Sequence, residues 1–402
     1  MHSILFAQQG RFFAPFFLLL SLLFAAASPL LAQPVLIGLD AEFGHKTSTS
    51  AQAVQQGMEI AIDEINQAGG VLGGRKLALV LTDNRSMPAV GVDNLKLLAS
   101  KPDLVGVFGA KFSPVVMEWI PVAQALGIPI FAPWSSADPI TDHNHHPSFS
   151  FRLSLKDAWA APALLRFASK EHGAKRVGVL LPNTGWGRSN QAAIVKEAAK
   201  ANIKIVGEHW YNWGDKSLIE LYLNLLHSGA QSIILVANEM EGSVLVKEMA
   251  ALPKDKRLPI VSHWGITGGE FSKMTGEALN QVDLTVIQTF SFVGAKNPAA
   301  KRVLAALKSR YGIENEKSIQ SAVGIAHAYD LTHILARAIN KAGSTDRSKI
   351  RDALEQLGPY NGLVRRYSRP FTPTRHDALS QEQVFMARFT SDGTLIPIPW
   401  TK

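Results

Sequence analysis

Short β-branched segments alternate with longer amphipathic segments along most of this chain, and this alternation limits the possible folds more than any other feature. The first apolar runs are VLIGL, LALVL, LVGVF and IPIFA, each bounded by Gly, Pro or Asp, which is typical of buried parallel strands. Residues 53–65 place apolar side chains on one helical stripe, and the pattern stops at Gly69-Gly70, where glycine can cap a helix. Alternating strands and helices predict βαβ units with a parallel sheet covered on both faces.

The same rhythm begins again after an irregular stretch at 133–150. We predict a second series of strands at 176–181, 203–207, 232–236, 258–262 and 284–290, with helices near 187–201, 216–228 and 241–251. A chain of 402 residues also exceeds what one hydrophobic core usually fills. The sequence therefore predicts an α/β protein with two domains of similar architecture and a cleft between them.

The C-terminal part departs from this rhythm. Two further helices are predicted near 297–311 and 318–342, and because no strand of their own follows them, we expect them to pack on the first domain. The closing segment VFMARFTSDGTLIPI has an Asp-Gly pair between two apolar runs, which predicts a β-hairpin.

The first 32 residues are typical of a secretory signal peptide. Arg11 is the only charged residue among them, and it precedes an apolar core that ends in small residues and Pro29. Cleavage after Ala27 or Ala32 fits this pattern. The competing interpretation is an uncleaved membrane anchor, because the apolar stretch approaches the ~20 residues that span a bilayer. The Ala-rich ending and Pro29 favour removal, and hence export.

Composition and missing motifs exclude several kinds of site. The chain contains no Cys, which rules out thiolate nucleophiles, cysteine-zinc sites and a lipid-anchored N-terminal cysteine. Its net charge of +8 is scattered, so we expect no nucleic-acid partner. No hydrolase elbow, zinc-protease, Walker or dinucleotide-binding motif is present, and we predict no cofactor and no catalytic residue. His143, His145 and His146 lie in a polar loop and are interpreted as solvated side chains rather than metal ligands.

Several segments together resemble a known family. GMEIAIDEINQAGGVLGGRKLAL at 57–79 and GLDAEFG at 38–44 resemble the opening of type I periplasmic binding proteins, in particular the leucine/isoleucine/valine-binding branch that serves ABC importers. The likeness continues through IPIFAPWSSADPIT at 128–141 and FRLSLKD at 151–157.

The resemblance implies two Rossmann-like lobes with parallel sheets, joined by three crossovers near residues 150, 290 and 365. The lobes would close on a small ligand by hinge motion. The implied boundaries are 34–150 plus 291–365 for lobe one, and 151–290 plus 366–402 for lobe two.

Ligands of open α/β sheets bind beyond the carboxyl ends of the strands, so the loops after the predicted strands hold the candidate binding residues. These are Ser113, Trp134, Ser135, Ser136, Trp186, Glu239 and Trp264.

The resemblance implies that Ser113 and Ser136 bind the carboxylate of an amino acid. A serine beside a helix N-terminus suits an anion, although Ser113 could instead simply cap its own helix. Trp186 lies in a Gly-rich loop that we expect to be exposed, and it would cover the ligand from lobe two.

The chain departs from amino-acid binders at Trp264, where they usually carry an acidic residue that neutralises the ligand ammonium. Glu239, one loop away, is the nearest replacement, and its alternative role is that of a negative charge at a helix N-terminus. Tryptophans in three of these loops predict a flat, aromatic or otherwise bulky ligand.

The sequence thus predicts a non-enzymatic, monomeric periplasmic solute-binding protein that works with an ABC permease in the inner membrane. Its ligand would be a small carboxylate-bearing molecule: a branched-chain or other amino acid, an aromatic acid or an amide. The alternative is a periplasmic sensor that reports to a membrane kinase or chemoreceptor, because both roles need the same cleft.

Overall fold

The computed structural model describes His2, residues 33–45 and residues 47–399. Apart from His2, the predicted signal peptide at 1–32 lies outside the described residues. Every described helix and strand belongs to one unit, Gln33–Lys402. Among the described residues, no helix is both long enough and apolar enough to cross a membrane.

The described strands form two large sheets and a short ribbon. The first sheet has the order β2-β1-β3-β4-β5, with β1 Val35–Ala41, β2 Leu77–Asp83, β3 Leu104–Phe108, β4 Ile130–Ala132 and β5 Ser150–Arg152. The second has the order β14-β13-β10-β9-β8-β6-β7, with β6 Arg176–Pro182, β7 Lys204–Tyr211, β8 Ser232–Leu235, β9 Ile260–Ser262, β10 Leu284–Gln288, β13 Phe385–Phe389 and β14 Leu395–Pro397. The ribbon pairs β11 Tyr360–Asn361 with β12 Arg366–Tyr367.

Helices occupy the connections between these strands. They are α1 Ser50–Gln67, α2 Pro88–Ala99, α3 Ser113–Leu126, α4 Asp157–His172, α5 Gly185–Ala201, α6 Ile219–His227, α7 Glu239–Ala250, α8 Phe271–Thr275, α9 Pro298–Tyr311, α10 Ala322–Ala342 and α11 Arg347–Glu355. We call the elements around the first sheet lobe one and those around the second sheet lobe two.

Lobe one has the parallel sheet that the sequence predicts. Its strand β1 lies between β2 and β3 and runs parallel to both, with alternate side chains such as Val35, Ile37 and Leu39 fully buried. α10 returns late in the sequence to pack along α1. This packing buries an apolar stripe on each helix, which is how an amphipathic helix gains most of its stability in a protein.

The sheet of lobe two differs from the all-parallel sheet that the sequence predicts. Its strands β6 to β10 are parallel, but β13 runs antiparallel to β10 and is followed by the antiparallel β14, so this sheet is mixed. The predicted hairpin is confirmed: Thr390 and Thr394 close its turn through a backbone hydrogen bond of 2.8 Å. The two strands of the hairpin follow each other in sequence and are joined by a short turn, which antiparallel pairing permits. The hairpin extends the sheet because β13 pairs with β10.

Several short or interrupted elements are absent from the sequence prediction. β5 has only three residues and contains the fully buried Arg152, and α4 carries Pro162 in its interior. Proline normally breaks a helix and a charged residue is unusual in a buried strand, so local patterns argue against both elements. The helix α11 and the ribbon β11–β12 were also missed.

The segment RPFTPTRHD at 369–377 covers the edge strand β5. Backbone hydrogen bonds of 2.8 Å link Arg152 to His376 and to Ala378. The Arg152 Nε donates to the Asp377 carboxylate at 2.6 Å, and the Lys156 Nζ lies 3.3 Å from the same group. Burial raises the pKa of Asp377, but the two positive charges outweigh it and hold the pKa below its usual value. A buried ion pair thus fixes this segment to lobe one.

Candidate ligand-binding cleft

The loops at the carboxyl ends of the two sheets meet around a small cavity with an empty volume of about 240 Å³. Lobe one lines it with Lys111, Phe112, Ser113, Pro114, Trp134 and Ser136, and lobe two with Trp186, Trp213, Asn238, Trp264 and Gly265. Five of the predicted binding residues therefore surround one space, at the position where open α/β sheets bind their ligands.

Ser113 connects two loops of lobe one. It is the first residue of α3, whose N-cap is Phe112, and it makes no side-chain capping hydrogen bond, so the interpretation that Ser113 caps its own helix is wrong. Its Oγ instead accepts hydrogen bonds from the backbone N–H groups of Ser136 at 3.2 Å and Ala137 at 3.3 Å. Because the oxygen is held as an acceptor, the hydroxyl proton remains available to a ligand oxygen.

Trp186 joins the lobes. It lies in the first turn of α5, which Thr184 caps by accepting a hydrogen bond from Gly187 N at 3.2 Å. The loop before it is exposed at Asn183, but the Trp186 side chain itself packs into the cleft and is only 6% exposed. The indole Nε1 donates to Ser136 Oγ at 3.1 Å, which again leaves the serine proton free.

Five of the eleven residues that line the cleft are aromatic, and two pairs of these rings cross between the lobes. Trp134 and Trp264 lie 5.8 Å apart between ring centroids, and Phe112 meets Trp213 edge to face at 5.0 Å. The sequence prediction missed Trp213, because it ended the strand at 203–207, whereas β7 continues to Tyr211 and places Trp213 in a carboxyl-end loop. Such walls suit a flat or apolar ligand body.

Two predicted residues do not line the cavity. Ser135 is fully buried, and its hydroxyl donates to Ala110 O at 2.7 Å, so it braces the loop behind the wall. Glu239 is the first residue of α7, and its Oε2 accepts a hydrogen bond from Lys111 Nζ at 2.6 Å. Its negative charge complements the N-terminus of α7 and also forms an ion pair across the cleft.

Buried titratable groups stand behind this wall. The His327 ring lies 5.9 Å from the Trp264 ring, and burial lowers the pKa of His327 to about 4. Its Nδ1 lies 2.8 Å from Pro133 O and Nε2 lies 3.1 Å from Thr289 Oγ1, which assigns the proton to Nδ1 in a neutral ring. Burial, followed by the charge of Asp157, raises the pKa of Asp138 to about 6. Near neutral pH the His327 ring is therefore uncharged, whereas Asp138 is still mostly ionised.

A sequence model described as a periplasmic binding protein matches residues 34–394. This chain belongs to the periplasmic binding protein family. Among its relatives, the leucine-, isoleucine-, valine-, threonine- and alanine-binding protein of Pseudomonas aeruginosa is 25% identical over 301 residues, which cover 74% of this chain and 76% of that protein. A Leu/Ile/Val-binding protein homologue of Brucella melitensis is 26% identical over 320 residues, covering 78% and 81%.

Solved structures confirm the type I fold of this periplasmic binding protein. A type 1 periplasmic binding protein from Bordetella pertussis superposes with a TM-score of 0.80 at 22% identity, covering 91% of this chain and 100% of that one. A solute-binding protein from R. palustris in complex with benzoate gives a TM-score of 0.73 at 15% identity, covering 91% and 95%. The resemblance to the leucine/isoleucine/valine-binding branch is likewise confirmed.

A second, larger cavity of this periplasmic binding protein, about 670 Å³, lies beside the segment that follows β10. Its walls include Phe290, Phe292, Phe385 and Phe389. None of the predicted binding residues lines it.

Proposed function

We propose that this periplasmic binding protein captures a small carboxylate-bearing solute and delivers it to an ABC permease in the inner membrane. The observation that carries the proposal is the pair of hydroxyl groups on Ser113 and Ser136. Both oxygens are held as acceptors, so both protons are available at a cavity between the two lobes. Two neighbouring donors beside the N-terminus of a 14-residue helix suit a carboxylate.

In this mechanism lobe one binds the anionic end of the ligand first, through Ser113 and Ser136. Lobe two then closes, bringing Trp186 and Trp264 over the ligand. We place the hinge at three crossovers between lobe one and lobe two. Because β5 Ser150–Arg152 belongs to the first sheet and the segment 369–377 pairs with β5, the first and third crossovers follow these residues, later than the predicted positions 150 and 365. The ligand favours the closed state only by its differential affinity for that state, and the permease would recognise the closed lobes.

The candidate ligands are branched-chain or other amino acids, aromatic acids and amides. Relatives named for leucine, isoleucine and valine support the first class. The aromatic wall and the benzoate complex of the R. palustris protein support the second. The proposal further comprises export through a cleaved signal peptide at 1–32 and action as a monomer that binds its solute without converting it.

A ligand screen tests the binding role. A true ligand at 100 times its dissociation constant should stabilise the folded protein by roughly 2.7 kcal/mol, which a thermal-shift assay detects. Ser113→Ala should abolish most of this shift, whereas Ser309→Ala, on an exposed face of α9, should not. A shift of equal size in all three proteins would place the binding site outside the cleft.

An uptake assay in cells distinguishes a role in transport from a role in sensing. If the protein feeds an importer, deletion of its gene should abolish uptake of the labelled ligand at concentrations near the dissociation constant. Normal uptake in the deletion strain, with a lost transcriptional or chemotactic response, would show a sensor instead.

A further inference from the structure

Lys111 and Glu239 form a buried ion pair between the lobes. Lys111 follows β3 in lobe one, Glu239 begins α7 in lobe two, and the Nζ and Oε2 atoms lie 2.6 Å apart. The two side chains are only 3% and 1% exposed. Lys111 Nζ also lies 5.1 Å from the centre of the Phe112 ring, within the range of a cation–π contact.

The backbone of lobe two leaves room for this pair. A Cβ atom on Gly268 would lie 2.4 Å from Lys111 Cδ, and one on Gly269 would lie 2.5 Å from Glu239 Cγ. Both distances are far below normal contact, so a side chain at either position would displace the ion pair. The consecutive glycines of the GITGG segment thus accommodate the pair, which is part of the architecture of the cleft.

The pair leaves the cavity without a carboxylate for a ligand cation. Among the described residues, no Asp or Glu lines the cavity, whereas Lys111 does. Glu42 is also buried at this end of lobe one, but it does not line the cavity. Its Oε1 accepts hydrogen bonds from Ser48 and Ser50, and its Oε2 has no partner among the described residues. An ammonium group here would be desolvated without a countercharge, which is strongly unfavourable.

Uncommitted donors, by contrast, are present. The hydroxyl protons of Ser113 and Ser136 are free, and the Nε1 of Trp134 is buried with no hydrogen-bond partner within the described part of the chain. Trp134 lines the same cavity. The cavity therefore offers hydrogen-bond donors to an anion and an aromatic wall to an apolar body.

We propose that Lys111 determines the ligand class: by neutralising Glu239, it makes the cleft select aromatic or branched apolar carboxylates that carry no ammonium group over the corresponding α-amino acids. This inference rests on the proposed role of the cleft as the solute site. The neutralised Glu239 and the free donors act in the same direction, because the first offers nothing to an ammonium group and the second bind a carboxylate.

Matched ligands test the proposal by titration calorimetry on the purified protein. 3-Phenylpropionate and L-phenylalanine differ only by the α-ammonium, as do 4-methylpentanoate and L-leucine. The wild-type protein should bind at least one of the two acids at least tenfold more tightly than its amino-acid counterpart. Lys111→Met keeps all but the last atom of the unbranched side chain, removes the charge and exposes Glu239 to the ligand, so it should lower the ratio of the two affinities at least tenfold.

Lys273→Met is the matched control, because Lys273 pairs with Glu270 at 3.2 Å on the exposed surface and the same substitution there should leave the ratio unchanged. If Lys111→Met does not fold, the proposal is tested by the affinity ratio of the wild-type protein and by that of Glu239→Gln. The glutamine variant removes the carboxylate but keeps Lys111. That variant should retain the preference for acids, and a shift towards amino acids would contradict the proposal.

These outcomes distinguish a wrong ligand class from a wrong solute-binding role. A wild-type protein that binds the amino acids more tightly, or a ratio that Lys111→Met leaves unchanged, overturns the inference while the solute-binding role stands. If folded wild-type protein binds no member of either pair and no other carboxylate in the thermal-shift screen, the proposed function fails, and the inference fails with it.

Discussion

Replacing Trp186 by Phe should weaken ligand binding about fivefold or more without unfolding the protein. Phenylalanine keeps an aromatic ring in the cleft but lacks the indole N–H, which donates to Ser136 Oγ at 3.1 Å across the lobes. A neutral hydrogen bond of this kind contributes about 1 kcal/mol net, and 1 kcal/mol corresponds to about a fivefold change in affinity. The loss falls on the closed state, because the two partners belong to different lobes.

A double-mutant cycle measures this coupling by titration calorimetry with the tightest-binding member of the carboxylate panel. Trp186→Phe should cost about 1 kcal/mol more in the wild-type background than in the Ser136→Ala background, where only the smaller size of the phenylalanine ring remains. Trp210→Phe is the control, because its indole donates to Glu208 Oε1 at 3.0 Å within lobe two. An equal cost of Trp186→Phe in both backgrounds would refute the view that this hydrogen bond closes the cleft.

Two further substitutions test the supporting structure by urea unfolding. Arg152→Met leaves the buried Asp377 without its main partner and should lower the free energy of unfolding by about 3–5 kcal/mol, and a loss below 1 kcal/mol would contradict the assigned role. The pKa of His327 is about 4 in the folded protein and 6.5 in the reference state, so the unfolded chain binds its proton first as the pH falls. Stability should decrease between pH 6.5 and 4 by up to about 3 kcal/mol, and His327→Gln should remove that part of the decrease. An identical pH dependence in both proteins would show that His327 does not carry it.

Regular periodicity made most of the fold predictable. Long amphipathic helices such as α1 and buried strands such as β3 can be predicted from local patterns, because the residues that each element buries recur at a regular spacing in its own sequence. The helix α4 and the strand β5 could not be read in this way. Pro162 and Arg152 contradict local preference, and only tertiary contacts, such as the Arg152–Asp377 ion pair, make them compatible with their elements.

The candidate site was predictable to the extent that it follows from strand order. Loops after parallel strands converge, which is why Ser113, Trp186 and Trp264 could be named without a structure. Side-chain pairing across the cleft could not be, because Lys111 and Glu239 are 128 positions apart and nothing local links them. Because of that pairing, Glu239 is a neutralised carboxylate rather than one that is free to bind a ligand.

The most direct test of the central claim is a crystal structure of the protein with its tightest-binding carboxylate. The account predicts the ligand in the cavity between Ser113 and Trp186, with its carboxylate accepting hydrogen bonds from the Ser113 and Ser136 hydroxyl groups. A ligand found instead in the larger cavity beside Phe290 and Phe292, with the space at Ser113 empty, would contradict it.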